Sequence, residues 1–123
     1  VLKKWEIESK TEFITPYEIV KKSSKVVIYG AGRFGKKYKD RLDKEAEFNI
    51  VAWVDKNYHN FPQEWNVESI DVLKDREYDI ILIAISDPYI QKSVERDLVD
   101  NGVALSKIWA LRTENVMGFR ISF

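Results

Sequence analysis

The 123-residue chain has no cysteine, a single histidine and no long apolar run. Without cysteine it has no disulfide framework, no thiolate nucleophile and no cysteine-ligated metal site, and one histidine leaves little from which to build another metal site. No stretch approaches the ~20 apolar residues that cross a bilayer, and the N-terminal sequence lacks the apolar segment of a signal peptide. We therefore predict a cytoplasmic protein with no metal and no membrane insertion.

The chain also has no net charge, because its 20 Lys and Arg residues are balanced by 20 Asp and Glu residues. A chain without an overall positive field is not expected to bind nucleic acid. Hydrophobic residues make up 45% of the sequence, which is enough for the packed core of one globular domain. The chain begins at Val1 rather than at methionine, so we expect it to belong to a larger parent polypeptide. The sequence leaves homo-oligomerisation open.

The first half of the chain predicts a strand, a helix and a second strand. Residues 25–29 and 48–54 are apolar runs without alternation, which is typical of strands covered on both faces. Between them, Phe34, Tyr38 and Leu42 fall four residues apart and form the apolar stripe of a helix. This order predicts a βαβ unit with parallel strands and a right-handed crossover.

The second half of the chain continues the alternation. We predict a surface loop over 56–67, a short helix over 68–75 that Ser69 caps, a central strand over 78–85 and a last strand over 107–111. A helix is predicted to start at Asp87 and Pro88 and to stop at Asn101 and Gly102. The fold class is therefore α/β, a small doubly wound (Rossmann-like), mainly parallel sheet with helices on both faces.

The chain ends fall outside this pattern. Residues 1–24 are predicted to be an N-terminal extension, with no clean period over the first 14 residues and a short helix that begins at Thr15 and Pro16. Residues 25–111 form the nucleotide-binding domain. Residues 112–123 form a tail, in which the alternation of Phe119 and Ile121 predicts an edge strand.

A G-x-G-x-x-G motif at Gly30, Gly32 and Gly35 joins the first strand of this domain to its helix. The first glycine permits the tight turn, the second lets a phosphate approach the backbone, and the third lets the helix pack close to the sheet. Asp55 follows Gly35 by 20 residues and ends the next strand, which is the context that a dinucleotide-binding motif requires.

We expect Asp55 to accept hydrogen bonds from a ribose diol, or from a sugar or base edge. Lys56 and Arg33 leave room for a phosphate, so NAD, NADP and a nucleotide-sugar all remain open as ligands. In the alternative interpretation, the glycines only form a tight turn and Asp55 is a solvated strand terminus.

Further site residues come from the ends of neighbouring elements. Ser86 and Asp87 follow the most apolar strand, and ligands of open α/β sheets bind at such carboxyl ends. Helix capping is the alternative role for both residues, and the two roles are compatible. Arg33 and Phe34, inside the glycine loop, complete the predicted ligand site.

No catalytic residue stands out. His59 lies in a polar loop without an obvious partner and is predicted to be a surface residue. Tyr17 and Lys21 have the spacing of the Tyr and Lys of short-chain dehydrogenases, but they precede the glycine loop, whereas that family's pair follows it. We therefore predict no catalytic residue in this chain.

Aromatic residues are numerous for so short a chain. Tyr29, Trp53 and Trp109 lie within strand runs and are expected in the core. The loop residues Tyr58, Phe61 and Trp65 are expected either to rim a ligand site or to contact a neighbouring part of the parent protein.

The segments VVIYGAGRFGKKY, IVAWVDKN and YDIILIAISDP, between Lys25 and Leu111, carry a family resemblance. They resemble the Rossmann-like N-terminal domain of PglD-type sugar acetyltransferases and similar modules appended to bacterial glycosyltransferases. The resemblance implies a UDP-sugar ligand, with its pyrophosphate at the glycine loop, Asp55 near the nucleoside and Ser86 in the loop that lines the crevice.

The sequence also departs from that family. Arg33 and Phe34 replace the usual Gly-His pair, and the hexapeptide repeats that perform acetyl transfer are absent, so we do not expect acetyl transfer. The segment Arg33-Phe34-Gly35 is also similar to the NAD-binding regulatory domains of potassium transport systems.

Three functions follow from these observations. The leading one is a nucleotide-sugar or dinucleotide-binding module of a bacterial surface-polysaccharide biosynthesis protein such as a glycosyltransferase, without activity of its own. The second is a fragment of an NAD(P)-dependent oxidoreductase or sugar epimerase. The third is a protein-interaction domain that binds no small ligand and uses the aromatic loop for docking.

Overall fold

The computed structural model describes residues 4–14, 24–45 and 48–122. These residues form six strands, two α-helices and several 3-10 turns. The elements are β1 (Lys4–Ile14), β2 (Lys25–Tyr29), α1 (Arg33–Glu45), β3 (Asn49–Val54), β4 (Ile80–Ile83), α2 (Pro88–Asp100), β5 (Ile108–Ala110) and β6 (Arg112–Ser122).

The strands β2 to β5 form a four-stranded sheet in the order β3-β2-β4-β5, and all neighbouring pairs are parallel. Ile28 in the centre of β2 is level with Trp53 on one side and Leu82 on the other. After β3 the chain crosses β2 to reach β4, which pairs with the other edge of β2. The carboxyl ends of these two strands are therefore where a crevice is expected.

Both faces of this sheet are covered, which confirms the prediction of a mainly parallel α/β sheet. Side chains on one face pack with α1, and the buried members include Val26, Ile28, Leu82, Tyr38 and Leu42. Side chains on the other face pack with α2, and the buried members include Val27, Ile81, Ile83, Val94 and Leu98. Because neither face meets solvent in the centre, the strands carry apolar residues without alternation.

The chain ends form a separate two-stranded sheet. β1 and β6 pair antiparallel over their whole length, from Lys4 opposite Ser122 to Ile14 opposite Arg112. The first 14 residues show no clean period in the sequence, yet Lys4–Ile14 forms a strand, and the tail forms a strand that pairs with β1 rather than with the parallel sheet. A local sequence window does not reveal a partner about a hundred residues away. The helix predicted from Thr15 lies outside the described residues.

The predicted caps are present. The Ser69 hydroxyl accepts a hydrogen bond from the Asp71 N–H and starts a 3-10 helix over Ile70–Lys74, and Asp87 precedes Pro88 as the N-cap of α2. The prediction of a buried Trp109 was wrong, because β5 is an edge strand and leaves this side chain 40% exposed. In the described part of the chain, no helix combines the length and the apolar character needed to cross a membrane.

Candidate functional site

A cleft of about 370 Å³ opens at the carboxyl ends of β2, β3 and β4. The glycine loop and the turn after β3 form one side, and the turn after β4 and one face of α2 form the other. Most of the predicted site residues line this cleft, namely Gly30, Gly32, Arg33, Phe34, Gly35, Asp55, Lys56 and Ser86.

Asp87 does not line the cleft. Its carboxylate oxygen Oδ1 accepts a 2.8 Å hydrogen bond from the Tyr89 N–H at the start of α2. The structure thus places Asp87 in its capping role. The adjoining turn is fixed by Gln91, whose Nε2 donates to the carbonyl oxygens of Ile85 and Leu111 at 2.6 and 3.0 Å.

Two of the three motif glycines are required by the backbone. Gly30 has φ +117°, and a Cβ at this position would lie 2.8 Å from the carbonyl oxygen of Ala84. A Cβ at Gly35 would overlap the carbonyl group of Gly30. These contacts explain the tight turn at Gly30 and the close approach of α1 to β2 at Gly35.

At Gly32, neither the backbone conformation nor a close contact requires glycine. A Cβ at this position would meet no atom within 4 Å, and Gly32 is not among the positive-φ residues. Gly32 lines the cleft and precedes the first residue of α1. The space that its missing side chain leaves open therefore belongs to the cleft.

The start of α1 faces this open space. The first intrahelical hydrogen bond runs from the Lys36 N–H to the Gly32 carbonyl oxygen at 2.8 Å. The N–H groups that precede it, such as that of Arg33, have no intrahelical acceptor, and they carry the positive end of the helix dipole. This geometry suits an anion.

Asp55 links the end of β3 to the glycine loop. Its Oδ2 accepts a 2.8 Å hydrogen bond from the Ala31 N–H, and its Oδ1 accepts one of 2.8 Å from the Asn57 N–H. The carboxylate is thus neither a solvated strand terminus nor a group reserved for ribose, because it also fixes the turn. Each oxygen of an ionised carboxylate has two lone pairs, so both can still accept from a ligand.

Trp53 holds the glycine loop from the α1 face. Its Nε1 donates a 2.7 Å hydrogen bond to the Gly30 carbonyl oxygen. Its ring stacks on Trp65 at 5.7 Å between centroids, and Trp65 stacks on Phe61 at 5.9 Å. Phe61 and Trp65 therefore pack against the core of this domain, which was not among the two roles expected for them.

The rest of the aromatic loop lies outside the cleft. Tyr58 is 42% exposed and contacts His59 edge to face, with 5.2 Å between ring centroids. His59 is exposed and does not line the cleft, in agreement with the prediction of a surface histidine.

Tyr29 was assigned to the core, and it is 5% exposed, but it also lines the cleft. Burial and then the nearby carboxylates of Asp55 and Asp97 raise the pKa of the Tyr29 hydroxyl to about 12. The backbone N–H of Lys56 acts in the opposite direction and lowers this pKa, but less than burial and the carboxylates raise it. The phenol is therefore neutral at neutral pH and keeps its proton.

Sequence reasoning missed the wall that α2 provides. Ile90, Ser93, Val94 and Asp97 line the cleft from one helical face. Ile90 and Val94 fall four residues apart in the sequence and lie on the apolar stripe of this helix. Ser93 and Asp97 could have been identified by their spacing, which places them on the same helical face as Ile90 and Val94. The sequence does not show which part of that face extends beyond the core.

Charge is unevenly distributed around the cleft. Arg33 and Lys56 lie with the start of α1 on one side, and Asp97 lies on the α2 wall. Among the residues that the structure describes, no group of three or more histidine or acidic side chains could hold a metal ion.

Residues 22–109 match the family described as C2185-like, N-terminal. A search of curated proteins finds no significant match. The matched segment contains β2 to β4, both helices, the glycine loop and every residue that lines the cleft. Because this segment covers most of the sequence, the chain belongs to the C2185-like N-terminal domain family.

Proposed function

We propose that this chain is a nucleotide-binding module of Rossmann-like, doubly wound type, and that it holds the diphosphate of a nucleotide-sugar or dinucleotide at the start of α1. The observation that carries the proposal is Gly32, since neither its backbone conformation nor any neighbouring atom calls for glycine. A phosphate that approaches the backbone from the cleft would explain why this position has no side chain.

The charges around the glycine loop support a diphosphate. The N–H groups at the start of α1 present partial positive charge, and Arg33 and Lys56 line the same side of the cleft. A guanidinium group is suited to bidentate contact with phosphate oxygens, while an ammonium group adds a point charge. These groups can balance the negative charge of two phosphates without a metal ion bound by side chains of this domain.

The remaining surface suits a nucleoside. Asp55 has lone pairs that point away from its two backbone donors and can accept from ribose hydroxyls. Ser86 adds a hydroxyl, and Ile85 and Ile90 offer apolar contact to a ring. The volume of about 370 Å³ lies within the roughly 300–1,000 Å³ range of small-molecule clefts.

The proposal assigns binding rather than chemistry to this domain. No lining residue forms an acid–base pair or an activated nucleophile with another, and binding needs only the loop, the helix start and Asp55. We propose that the module serves a larger protein of bacterial surface-polysaccharide biosynthesis, such as a glycosyltransferase, as the resemblance of its glycine loop and strands implies.

Calorimetric titration tests the proposal. UDP-sugars, CDP-sugars, NAD and NADP are titrated into the wild type, into Gly32→Val and into the control Ser106→Val, which adds the same side chain at an exposed position outside the cleft. We expect one ligand class to bind to the wild type and the control and to be lost in Gly32→Val. Absence of binding to all three proteins would instead favour the protein-interaction function.

A fragment of an NAD(P)-dependent oxidoreductase or epimerase is the second candidate. The pair Arg33 and Lys56 favours it, because two cations can accommodate the 2′-phosphate of NADP. The parent protein is assayed with reduced nicotinamide and nucleotide-sugars. Consumption of the reduced nicotinamide would support this candidate and contradict a module that only binds.

A further inference from the structure

We propose that Ser93 and Asp97 of α2, together with the Tyr29 hydroxyl, form a subsite that recognises the hydroxyl groups of a sugar attached to the diphosphate. The inference rests on the proposed function and deepens it, because it names the part of the ligand that the α2 wall selects.

The first observation is the position of the two α2 side chains. Ser93 and Asp97 are one helical turn apart, both line the cleft, and Val94 between them anchors this face of the helix in the core. Neither the Ser93 hydroxyl nor the Asp97 carboxylate has a hydrogen bond or an ion pair with another described residue. Both residues are exposed, so their polar groups are open to solvent and to a ligand in the cleft that they line.

The second observation is the Tyr29 hydroxyl, which belongs to a side chain more than nine-tenths buried. Its hydroxyl has no hydrogen bond with another described residue, and Tyr29 lines the cleft. The carboxylates of Asp55 and Asp97 are close enough to disfavour its ionisation. The hydroxyl oxygen is not among the fully buried polar atoms without a partner, so it is open to the cleft, where a ligand hydroxyl can pair with it.

The chemistry of Ser93, Asp97 and Tyr29 determines which part of a ligand can lie beside them. A carboxylate accepts from hydroxyl groups and repels phosphate, so Asp97 favours a neutral, hydroxyl-rich group and directs the phosphates toward Arg33 and Lys56. Ser93 and Tyr29 can donate to hydroxyl oxygens, and the carboxylate can accept from the same hydroxyl groups. A sugar ring offers this alternation of donors and acceptors on adjacent carbons.

The test compares ligand pairs that differ only in the sugar. UDP is compared with UDP-N-acetylglucosamine, and ADP with ADP-ribose, by calorimetry on the wild type, Ser93→Ala, Asp97→Asn and the control Asp100→Asn. Asp100 is exposed on the same helix and lies outside the cleft. We expect the wild type and the control to bind one sugar-bearing ligand more tightly than its nucleoside diphosphate.

Asp97→Asn should weaken binding of that sugar-bearing ligand about tenfold or more, as expected for loss of a hydrogen bond to a charged group, and should not weaken binding of the nucleoside diphosphate. Ser93→Ala should reduce the preference about threefold to tenfold. An unchanged preference in Asp97→Asn would overturn the subsite and leave the diphosphate site standing. Absence of binding by any of these ligands to the wild type would overturn both proposals.

Discussion

Trp53 and Gly30 are joined by a 2.7 Å hydrogen bond from the indole Nε1 to the carbonyl oxygen of the glycine turn. The donor lies on β3 and the acceptor directly follows β2, so the bond crosses between neighbouring strands at the edge of the cleft. Trp53 is 5% exposed, so the bond lies in a buried environment where it is stronger than in water. The shape of the glycine loop therefore depends on a side chain from β3, the strand that directly precedes Asp55.

Replacement of Trp53 by phenylalanine removes this donor and leaves the Gly30 carbonyl without it. We expect Trp53→Phe to lower the free energy of unfolding by about 2–4 kcal/mol, from the lost hydrogen bond and the lost volume together. Urea denaturation measures the change. The control Trp109→Phe, on the 40% exposed edge position, should cost less than about 1 kcal/mol, and equal costs at the two positions would contradict the assigned role of Trp53.

The two glycines Gly35 and Gly32 should respond differently to alanine. Gly35→Ala forces a Cβ into the Gly30 carbonyl group and should cost more than about 2 kcal/mol, although alanine favours the helix by up to about 1 kcal/mol. Gly32→Ala meets open space and should cost no more than about 1 kcal/mol, from the weaker N-cap. Thermal unfolding of both variants gives the comparison, and a larger loss for Gly32→Ala would contradict the geometry.

Asp55 should show a structural role apart from any ligand. Asp55→Ala leaves the Ala31 and Asn57 N–H groups without their acceptor and should lower the free energy of unfolding by about 1–3 kcal/mol. Asp55→Asn retains one acceptor oxygen and should cost less. Urea denaturation without nucleotide separates the two, and no destabilisation by Asp55→Ala would mean that the carboxylate does not fix the turn.

The pKa of Tyr29 predicts a loss of stability at alkaline pH. Its pKa in the folded state is about 12, above the ordinary value of 10.0, so the unfolded state ionises first as pH rises. The free energy of unfolding should fall between pH 10 and 12, by an amount on the order of 2–3 kcal/mol from this group. Denaturation of the wild type and Tyr29→Phe across this range measures it, and a slope that persists unchanged in the variant would assign the loss to other groups.

Much of the parallel sheet could be predicted from the sequence, because its signals are local. Unbroken apolar runs indicated strands buried on both faces, and the caps at Ser69 and Asp87 fixed where the helices begin. The pairing of β1 with β6 could not be predicted, since it joins residues at opposite ends of the chain. The exposure of Trp109 depends on strand order, which an isolated apolar run does not specify.

Part of the candidate site could also be predicted, because its sequence signals are local. The glycine loop and Asp55 are recognisable because each has a fixed distance from a strand end. The wall formed by Ser93 and Asp97 depends on how α2 is rotated over the sheet, and the sequence specifies only the helical face. The hydrogen bond from Trp53 to Gly30 is a tertiary contact between an indole and a carbonyl, which no spacing rule anticipates.

Calorimetric comparison of the wild type with Gly32→Val is the most direct test of the diphosphate site. A valine Cβ at this position meets no protein atom within 4 Å, so the variant should fold and lose only the space that a phosphate would occupy. We predict a nucleotide-sugar or dinucleotide that binds to the wild type and shows no measurable affinity for the folded variant. Equal affinity of that ligand for both proteins would contradict a diphosphate at the start of α1.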